Sequence, residues 1–447
     1  MRPRSLGRLT LGALKNHLKQ PESVALLAVL VAASFLRLWD LGGIGLRGDE
    51  AVYAGQAAVI AGDEELERHF ILVSRGNSNF LLFQGVLSVF YRVFGVSDVL
   101  ARGMSAAFSI LTVLIVFELG RTLYDRRVGL IAALLLTISS YATALGRLAF
   151  LDSPMTFFFA LSMLSMAKWT RSQNEAWLYS LAAASALAIQ AKIGGGLVLP
   201  IAIFYVLVTR QYRSLRVRTV LISSTVFLTF LTPALVQLAE NRGQFVQFLS
   251  EGSARVSKVP WDYYISVLVS YEGYLILSIW LAGILVAAAK RKSGDILSII
   301  WVIVVAAFFY LHPLKGFNYL LPIVPVLSLV AARALSAAWS SMRLSRASAG
   351  LFLMLIVGAS AFPLNSALHD DSYVGLREAG YWLKANTEPN AGVLSISRGS
   401  AHYGVAFYAE RDSYPFGRFR LSTVLPGGLV VNPRQAPSGA PKDWVSF

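Results

Sequence analysis

The sequence predicts an all-α polytopic membrane protein, and three observations predict it. The 447 residues are 55% hydrophobic and only 15% charged, a balance too apolar for a soluble chain of this size. Apolar runs long enough to cross about 30 Å of hydrocarbon as a helix recur along the chain between short polar breaks. The excess of basic residues, a net charge of +15, falls in those breaks rather than on one continuous face, so it reads as a topology signal and not as a nucleic-acid surface. Zero cysteines exclude disulfides, thiolate metal sites and a cysteine nucleophile.

Eleven spans are expected near 22–39, 99–120, 128–146, 153–169, 176–190, 194–209, 218–237, 263–289, 295–311, 318–338 and 348–364. The basic segment 1–21 precedes the first of them; the run Ser23 to Trp39 is too long for a cleaved signal and lacks its small-residue exit, so it is an uncleaved span. With that N-terminus cytoplasmic, the inside loops Arg121 to Arg127, Lys168 to Glu175, Arg210 to Arg218, Lys290 to Lys292 and Arg343 to Arg346 are all basic. The parity holds only if the apolar run Phe80 to Val96 does not cross. Gln84, Ser88 and Arg92 recur at i, i+4 and i+8, a polar stripe that suits an interfacial helix, although the same stripe also suits a span facing its neighbours. The chain thus divides into a transmembrane domain over 22–364, with an extracytoplasmic loop of juxtamembrane helices at 40–98, and a polar, Gly/Pro-rich segment 365–447 that reads as a small extracytoplasmic α+β domain, whole or truncated.

Four polar features fall on the outer face. Arg47-Gly-Asp-Glu-Ala-Val-Tyr53 sets two adjacent carboxylates, Asp49 and Glu50, at the start of a helix at the membrane surface, where they can cap that helix or serve as a base. Gly146-Arg-Leu-Ala-Phe-Leu-Asp-Ser-Pro154 brings Arg147 and Asp152 to the same face, with helix capping and snorkelling as their plain uses. Ala191-Lys192 is followed by three glycines in a tight turn, where backbone can approach a ligand and a lysine can meet a phosphate. His312-Pro-Leu-Lys315, followed by Tyr319, Pro322 and Pro325, precedes a span that the prolines are expected to kink. Buried charges are costly in a bilayer, and Glu118, Gln190 and Glu272 fall near expected span ends with no chain of charges through the midplane. His17, His69, His369 and His402 show no metal-ligand spacing, so no metal site and no cofactor is expected.

In order along 22–335, the Asp49-Glu50-Ala-Val-Tyr53-Ala element, Arg147 with Leu151-Asp152, Ala191-Lys192 with its glycines, and Lys315 with Tyr319-Leu-Leu-Pro322 and Pro325 resemble the GT-C membrane glycosyltransferases, specifically the protein O-mannosyltransferase and lipid A aminoarabinose transferase group. The resemblance implies a GT-C type helical bundle with juxtamembrane helices. It implies an inverting transfer of a sugar from a polyprenyl-phosphate donor to an extracytoplasmic acceptor, a glycolipid, envelope glycan or protein, in the inner (plasma) membrane. Asp49 would be the base, with Glu50 and Asp152 beside it, and Tyr53, Arg75, Arg147, Lys192, His312, Lys315 and Tyr319 would bind substrate. One departure is plain: where many relatives carry a Lys/His-Pro-Pro-Leu sequence, this chain has Arg75-Gly-Asn-Ser-Asn-Phe-Leu-Leu82. A transporter or flippase of lipid-linked sugars is the rival reading; it would be expected to show internal repeats and broken helices around a midplane site, and the sequence displays neither. A non-catalytic scaffold that has lost the base is a third.

Overall fold

The computed structural model describes residues 21–73, 79–254, 256–342, 345–369, 373–395 and 401–415. Arg75, the basic segment before residue 21 and the chain beyond 415 lie outside the described residues. Seventeen labelled helices account for most of the rest. They are α1 (Pro21–Leu38), α2 (Gly48–Ala61), α3 (Leu82–Phe94), α4 (Asp98–Leu123), α5 (Arg126–Ile138), α6 (Ser140–Gly146), α7 (Asp152–Ser172), α8 (Ala176–Ala191) and α9 (Val198–Val208). Then follow α10 (Val217–Glu240), α11 (Arg242–Ala254), α12 (Tyr263–Lys290), α13 (Ser293–Leu311), α14 (Val324–Ser341), α15 (Arg346–Leu368), α16 (Leu376–Asn386) and α17 (Ala401–Ala409). Two three-residue strands, β1 (Val393–Ser395) and β2 (Ser413–Pro415), pair in parallel beside α16 and α17.

Each predicted span is helical, and the chain is a multi-pass membrane protein. Among the described residues, six helices are individually long and apolar enough to cross a bilayer, or seven if the bent pair α5–α6 is one span. The surface is inverted relative to a soluble bundle, as lipid requires. On α1 the stripe Val24, Leu27, Val31 and Phe35 faces outward while Ala33 and Arg37 are fully buried. Helix α3 follows the same rule: Val86, Val89, Phe90 and Val93 are exposed, whereas Gln84 and Ser88 of the predicted polar stripe are buried toward α2. With 13 residues, about 20 Å, α3 is too short to cross.

The structure departs from the sequence expectation at two breaks. Helices α5 and α6 meet at a 64° bend, and α12 is interrupted at Gly273, whose φ of 72° belongs to the region glycine tolerates. Each new helix end exposes backbone groups that a membrane protein must satisfy internally. Arg37 donates to the free carbonyls of Leu136 (3.0 Å) and Thr137 (3.4 Å) at the end of α5. Glu272, next to the α12 break, accepts from the Ser139 hydroxyl and from the Tyr141 amide (3.1 Å) at the start of α6. A cation at a helix C-terminus and an anion at an N-terminus both complement the helix dipole. Glu272 therefore lies well inside α12 as a helix cap, not near a span end as the sequence suggested. Pro322 and Pro325 differ from expectation too: they open a 3₁₀ turn and the first turn of α14, where a missing amide costs nothing, and so start the helix without kinking it.

Candidate active site

The site is built on the first turn of α2. Arg47 is its N-cap, and the Arg47 amide donates to Glu50 Oε2 (3.0 Å). Glu50 is fully buried and saturated: Arg102 Nε and Nη2 donate to its two oxygens (2.8 and 2.9 Å), and the Ala149 amide donates to Oε1 (2.8 Å). These donors hold the Glu50 carboxyl below the usual range despite burial, which alone would raise it. Arg102 also donates to the carbonyls of Leu41, Ile44 and Gly45, so the pair ties the loop before α2 to α4 and to the turn after α6. Such a carboxylate has no lone pair left to take a proton from substrate, so its geometry is that of an anchor.

Asp49, one residue earlier, faces away from this knot. It is exposed, and partial desolvation by the surrounding protein raises its pKa. Lys192 nearby pulls the value down, while the negative charges of Asp152 and Glu50 push it up. Asp152, the first residue of α7, is buried and accepts from Lys192 Nζ at both oxygens (2.8 and 2.9 Å) and from Asn318 Nδ2 (2.8 Å). The Lys192 ammonium lies 5.1 Å from the centre of the Tyr319 ring. Tyr53, buried one turn along α2, and Tyr319 complete the cluster; burial raises both phenols, with Asp49 and Asp152 adding to the shift. Residues from four distant segments thus converge at one end of the bundle.

Gly195, among the glycines after Lys192, has a packing role. A Cβ on Gly195 would meet the Ala188 carbonyl oxygen at 2.2 Å, so the residue lets a 3₁₀ turn fold back on the end of α8 and present Lys192 to Asp152. His312 and Lys315 fall beside this cluster, not within it. His312 Nδ1 turns back on the Leu314 backbone (2.9 Å from its carbonyl), with its ring edge-on to Tyr319. Lys315 Nζ donates to the carbonyls of Phe309 (2.9 Å), Tyr310 and His312 (2.6 Å), capping the end of α13. Arg147 is buried on the far side of Glu50, donating to the carbonyls of Leu36 (3.1 Å) and Asp40 (3.4 Å). Among the described residues no cluster of three metal-ligating side chains occurs.

Sequence reasoning missed Arg102, Asn318 and Tyr141. Arg102 falls in the expected span 99–120 and Asn318 at the start of the expected span 318–338, and neither is singled out among the four polar features. Tyr141 donates its hydroxyl to the Phe317 carbonyl and so fixes the turn that carries Asn318 and Tyr319.

Two apolar cavities lie along the seam of α8 and α10. One, about 660 Å³, is lined by Val86 and Phe90 of α3, Leu187, Phe230 and Pro233, and by Gln190, two residues before Lys192. The other, about 450 Å³, continues along the same helices past Leu181 and Phe227.

Known structures share this fold. ArnT from Cupriavidus metallidurans, solved bound to undecaprenyl phosphate, matches with a TM-score of 0.66 at 16% identity over 91% of this chain and 86% of that one; its apo form gives 0.70 at 16% identity over 90% and 86%. The oligosaccharyltransferase AglB from Archaeoglobus fulgidus, solved with an inhibitory peptide and a dolichol-phosphate, gives 0.65 at 16% identity over 88% of this chain and 64% of its own. The fold is therefore that of the GT-C membrane glycosyltransferases, as the ordered motifs implied. Within it, residues 81–236 match the family model described as dolichyl-phosphate-mannose-protein mannosyltransferase. An uncharacterized protein of Aquifex aeolicus is 25% identical over 256 residues, 55% of this chain and 51% of the relative, so the match spans about half of that protein's length.

Proposed function

We propose that this protein is a glycosyltransferase that moves a sugar from a polyprenyl-phosphate carrier to an acceptor at the outer face of the plasma membrane, with inversion at the anomeric carbon. The observation that carries the reading is the convergence of Asp49, Asp152, Lys192 and Asn318, with Lys192 two residues after Gln190 of an apolar groove. Asp49 takes the proton of an acceptor hydroxyl or amine as its oxygen or nitrogen bonds to the anomeric carbon. The bond from that carbon to the phosphate oxygen breaks on the opposite face, and its electron pair leaves with polyprenyl phosphate. A carboxyl whose pKa is raised by desolvation is a better base than an ordinary carboxylate while still ionised near neutrality.

Asp152, held between Lys192 and Asn318, keeps the lysine at the head of the groove, where its ammonium balances the charge of the departing phosphate. The groove on α8 and α10 takes the polyprenyl chain, exchanging lipid neighbours for protein ones at little net cost. Glu50, with both oxygens engaged, is a positioning residue. ArnT and AglB were each solved with a polyprenyl or dolichol phosphate, which supports this class of donor. The broken helices α5–α6 and α12 keep a flippase in view as a rival, although the α5–α6 break is capped by Arg37 and Glu272.

The test supplies purified protein with polyprenyl-phosphate sugars and candidate acceptors and compares wild type with Asp49→Asn. Transfer by wild type and its collapse in the folded variant are expected. Equal transfer by both would remove the proposed base, and movement of lipid across the bilayer without transfer would favour the flippase.

A further inference from the structure

The end of the bundle away from Asp49 has a cavity of its own. Helices α4 and α7 both begin at the active-site end, where Arg102 meets Glu50 and Asp152 meets Lys192, and the 21 residues of α7 carry its last turn roughly 30 Å away. There a cavity of about 390 Å³ is lined by Arg121 and Thr122 of α4, Lys168, Arg171 and Ser172 of α7, and Trp177 of α8. Its lining holds three cations and no acid. Arg121 and Lys168 share a single carboxylate beside it, Glu118, at 2.6 and 3.7 Å. The Arg171 guanidinium donates to the Thr122 carbonyl and, among the described residues, has no acid within 4.0 Å. Lys168 also lies 4.6 Å from the centre of the Trp177 ring.

The neighbouring acids are committed elsewhere. Glu22 pairs with Arg126 (2.7 Å) and Glu175 with Arg216 (3.5 Å), Asp125 caps α5, and Asp295 accepts from Tyr124 (2.7 Å) beside Arg333. Three positive charges against Glu118 alone leave a surplus of two at the cavity. Guanidinium forks and an ammonium lining one concave space suit the oxygens of a phosphate. Depth narrows the source of that phosphate. The cavity lies at the ends of helices of 26 and 21 residues that begin across the bilayer at the active site. At such an interface phospholipid headgroups are the concentrated anion, and a tryptophan such as Trp177 is the amphipathic ring it favours. The carrier phosphate of the proposed reaction belongs at the opposite end, near Lys192, so this anion is a different one.

We propose that this cavity is a phospholipid site: the phosphodiester of an anionic lipid sits between Arg121 and Arg171 with Lys168 at its side, and ties the end of α4 to the end of α7. Its charge offsets the surplus of the cavity. The site is separate from the polyprenyl-phosphate donor and does not depend on the transferase reading, since a flippase or a scaffold with this bundle would carry it too. A headgroup that joins α4 to α7 also braces the two helices on which Arg102 and Asp152 stand.

Native mass spectrometry of the delipidated full chain in detergent reads the bound lipid directly. Phosphatidylglycerol and phosphatidylcholine with identical tails are compared, and wild type should hold the first about tenfold more tightly, the worth of one or two charge-assisted bonds. Arg121→Gln combined with Arg171→Gln should abolish the preference. Arg171→Gln alone gives up only a backbone contact within the protein, so it stays informative if the double variant fails to fold, and it should weaken phosphatidylglycerol several-fold. Arg213→Gln combined with Arg218→Gln, which removes the same charge from the neighbouring basic segment, should leave the preference intact. No preference in wild type overturns the proposal. So does an equal loss in the Arg213 and Arg218 variant, because diffuse charge would then be the attractant. Inorganic phosphate that displaces the lipid at equal concentration would assign the cavity to a free anion and overturn the lipid assignment. Thermal unfolding in detergent completes the test: phosphatidylglycerol should raise the midpoint of wild type and not that of the double variant. A rise common to both would refute the bridging of α4 and α7.

Discussion

Two sides of one helical turn present opposite chemistry. On one side of the start of α2, Glu50 is sealed in a lattice of guanidinium and amide donors that joins the preceding loop, α4 and the turn after α6. On the other, Asp49 stands partly open, short of water and between the charges of Lys192 and Asp152. The same functional group, one residue apart, thus has its pKa lowered in one place and raised in the other. Burial alone does not decide a carboxyl's role; the number of donors aimed at it does.

The contrast is broken most directly by exchanging each acid for its amide. Asp49→Asn should lower turnover by about 10²–10⁴-fold, the range of a lost general base, with folding intact. Glu50→Gln should do the reverse in emphasis: it leaves Arg102 buried and unpaired, at a cost of about 3–5 kcal/mol, read as earlier thermal unfolding in detergent. Activity measured on whatever Glu50→Gln protein remains folded should fall far less than in Asp49→Asn. Equal catalytic losses in the two folded variants would erase the distinction between base and anchor.

Stability should separate them again, with opposite signs. Asp49 has a folded pKa raised above its unfolded value, so its ionisation opposes folding once pH exceeds the unfolded carboxylate range. The penalty is absent below that range and fully present above the raised value. Asp49→Asn should therefore unfold at a higher temperature than wild type at neutral pH, and the advantage should vanish in acid. A variant less stable than wild type at neutral pH would contradict the desolvated setting described for Asp49.

Much of this was legible in the sequence, and the part that was not has a physical reason. Run length and basic loops marked the spans, because the bilayer makes hydropathy a direct report of environment. Asp49 and Asp152 were visible because acids at helix starts on a common face are few. Glu50 looked equivalent to Asp49, since its partner Arg102 is 52 residues away and only tertiary packing brings them together. The break at Ser139 was invisible for the same reason: Arg37 and Glu272, which satisfy its broken backbone, lie on other helices. Lys315 after an apolar run could bind a phosphate or snorkel, and in the structure its ammonium meets the carbonyls at the end of α13.

The charge balance around Asp49 gives a smaller, finer test. Lys192 lowers the Asp49 pKa, so removing it by Lys192→Met takes away a restraint and lets the value rise further. The base acts only when deprotonated, and the rate falls as pH drops through its pKa. The acid limb of the pH–rate profile should therefore move to higher pH in Lys192→Met. A limb that stays in place, or moves to lower pH, would mean that another group sets it.

The smallest expected effect concerns the support of the site. Tyr141, at the start of α6, holds the Phe317 carbonyl, and the next residue, Asn318, binds Asp152. Tyr141→Phe keeps the ring and its edge-on contact with Tyr271, 5.3 Å between centres, and removes one hydrogen bond, worth about 1 kcal/mol. If the Phe317 to Tyr319 turn is held chiefly by this bond, kcat should drop a few-fold while donor and acceptor KM values change little, because orientation is lost and affinity is not. Combining it with Asn318→Ala should add almost nothing, since both changes release the same Asp152 oxygen. Losses that multiply in the double variant would show that Tyr141 acts by a route other than Asn318. The support of the active site would then pass through the α5–α6 break itself and its Arg37 and Glu272 caps.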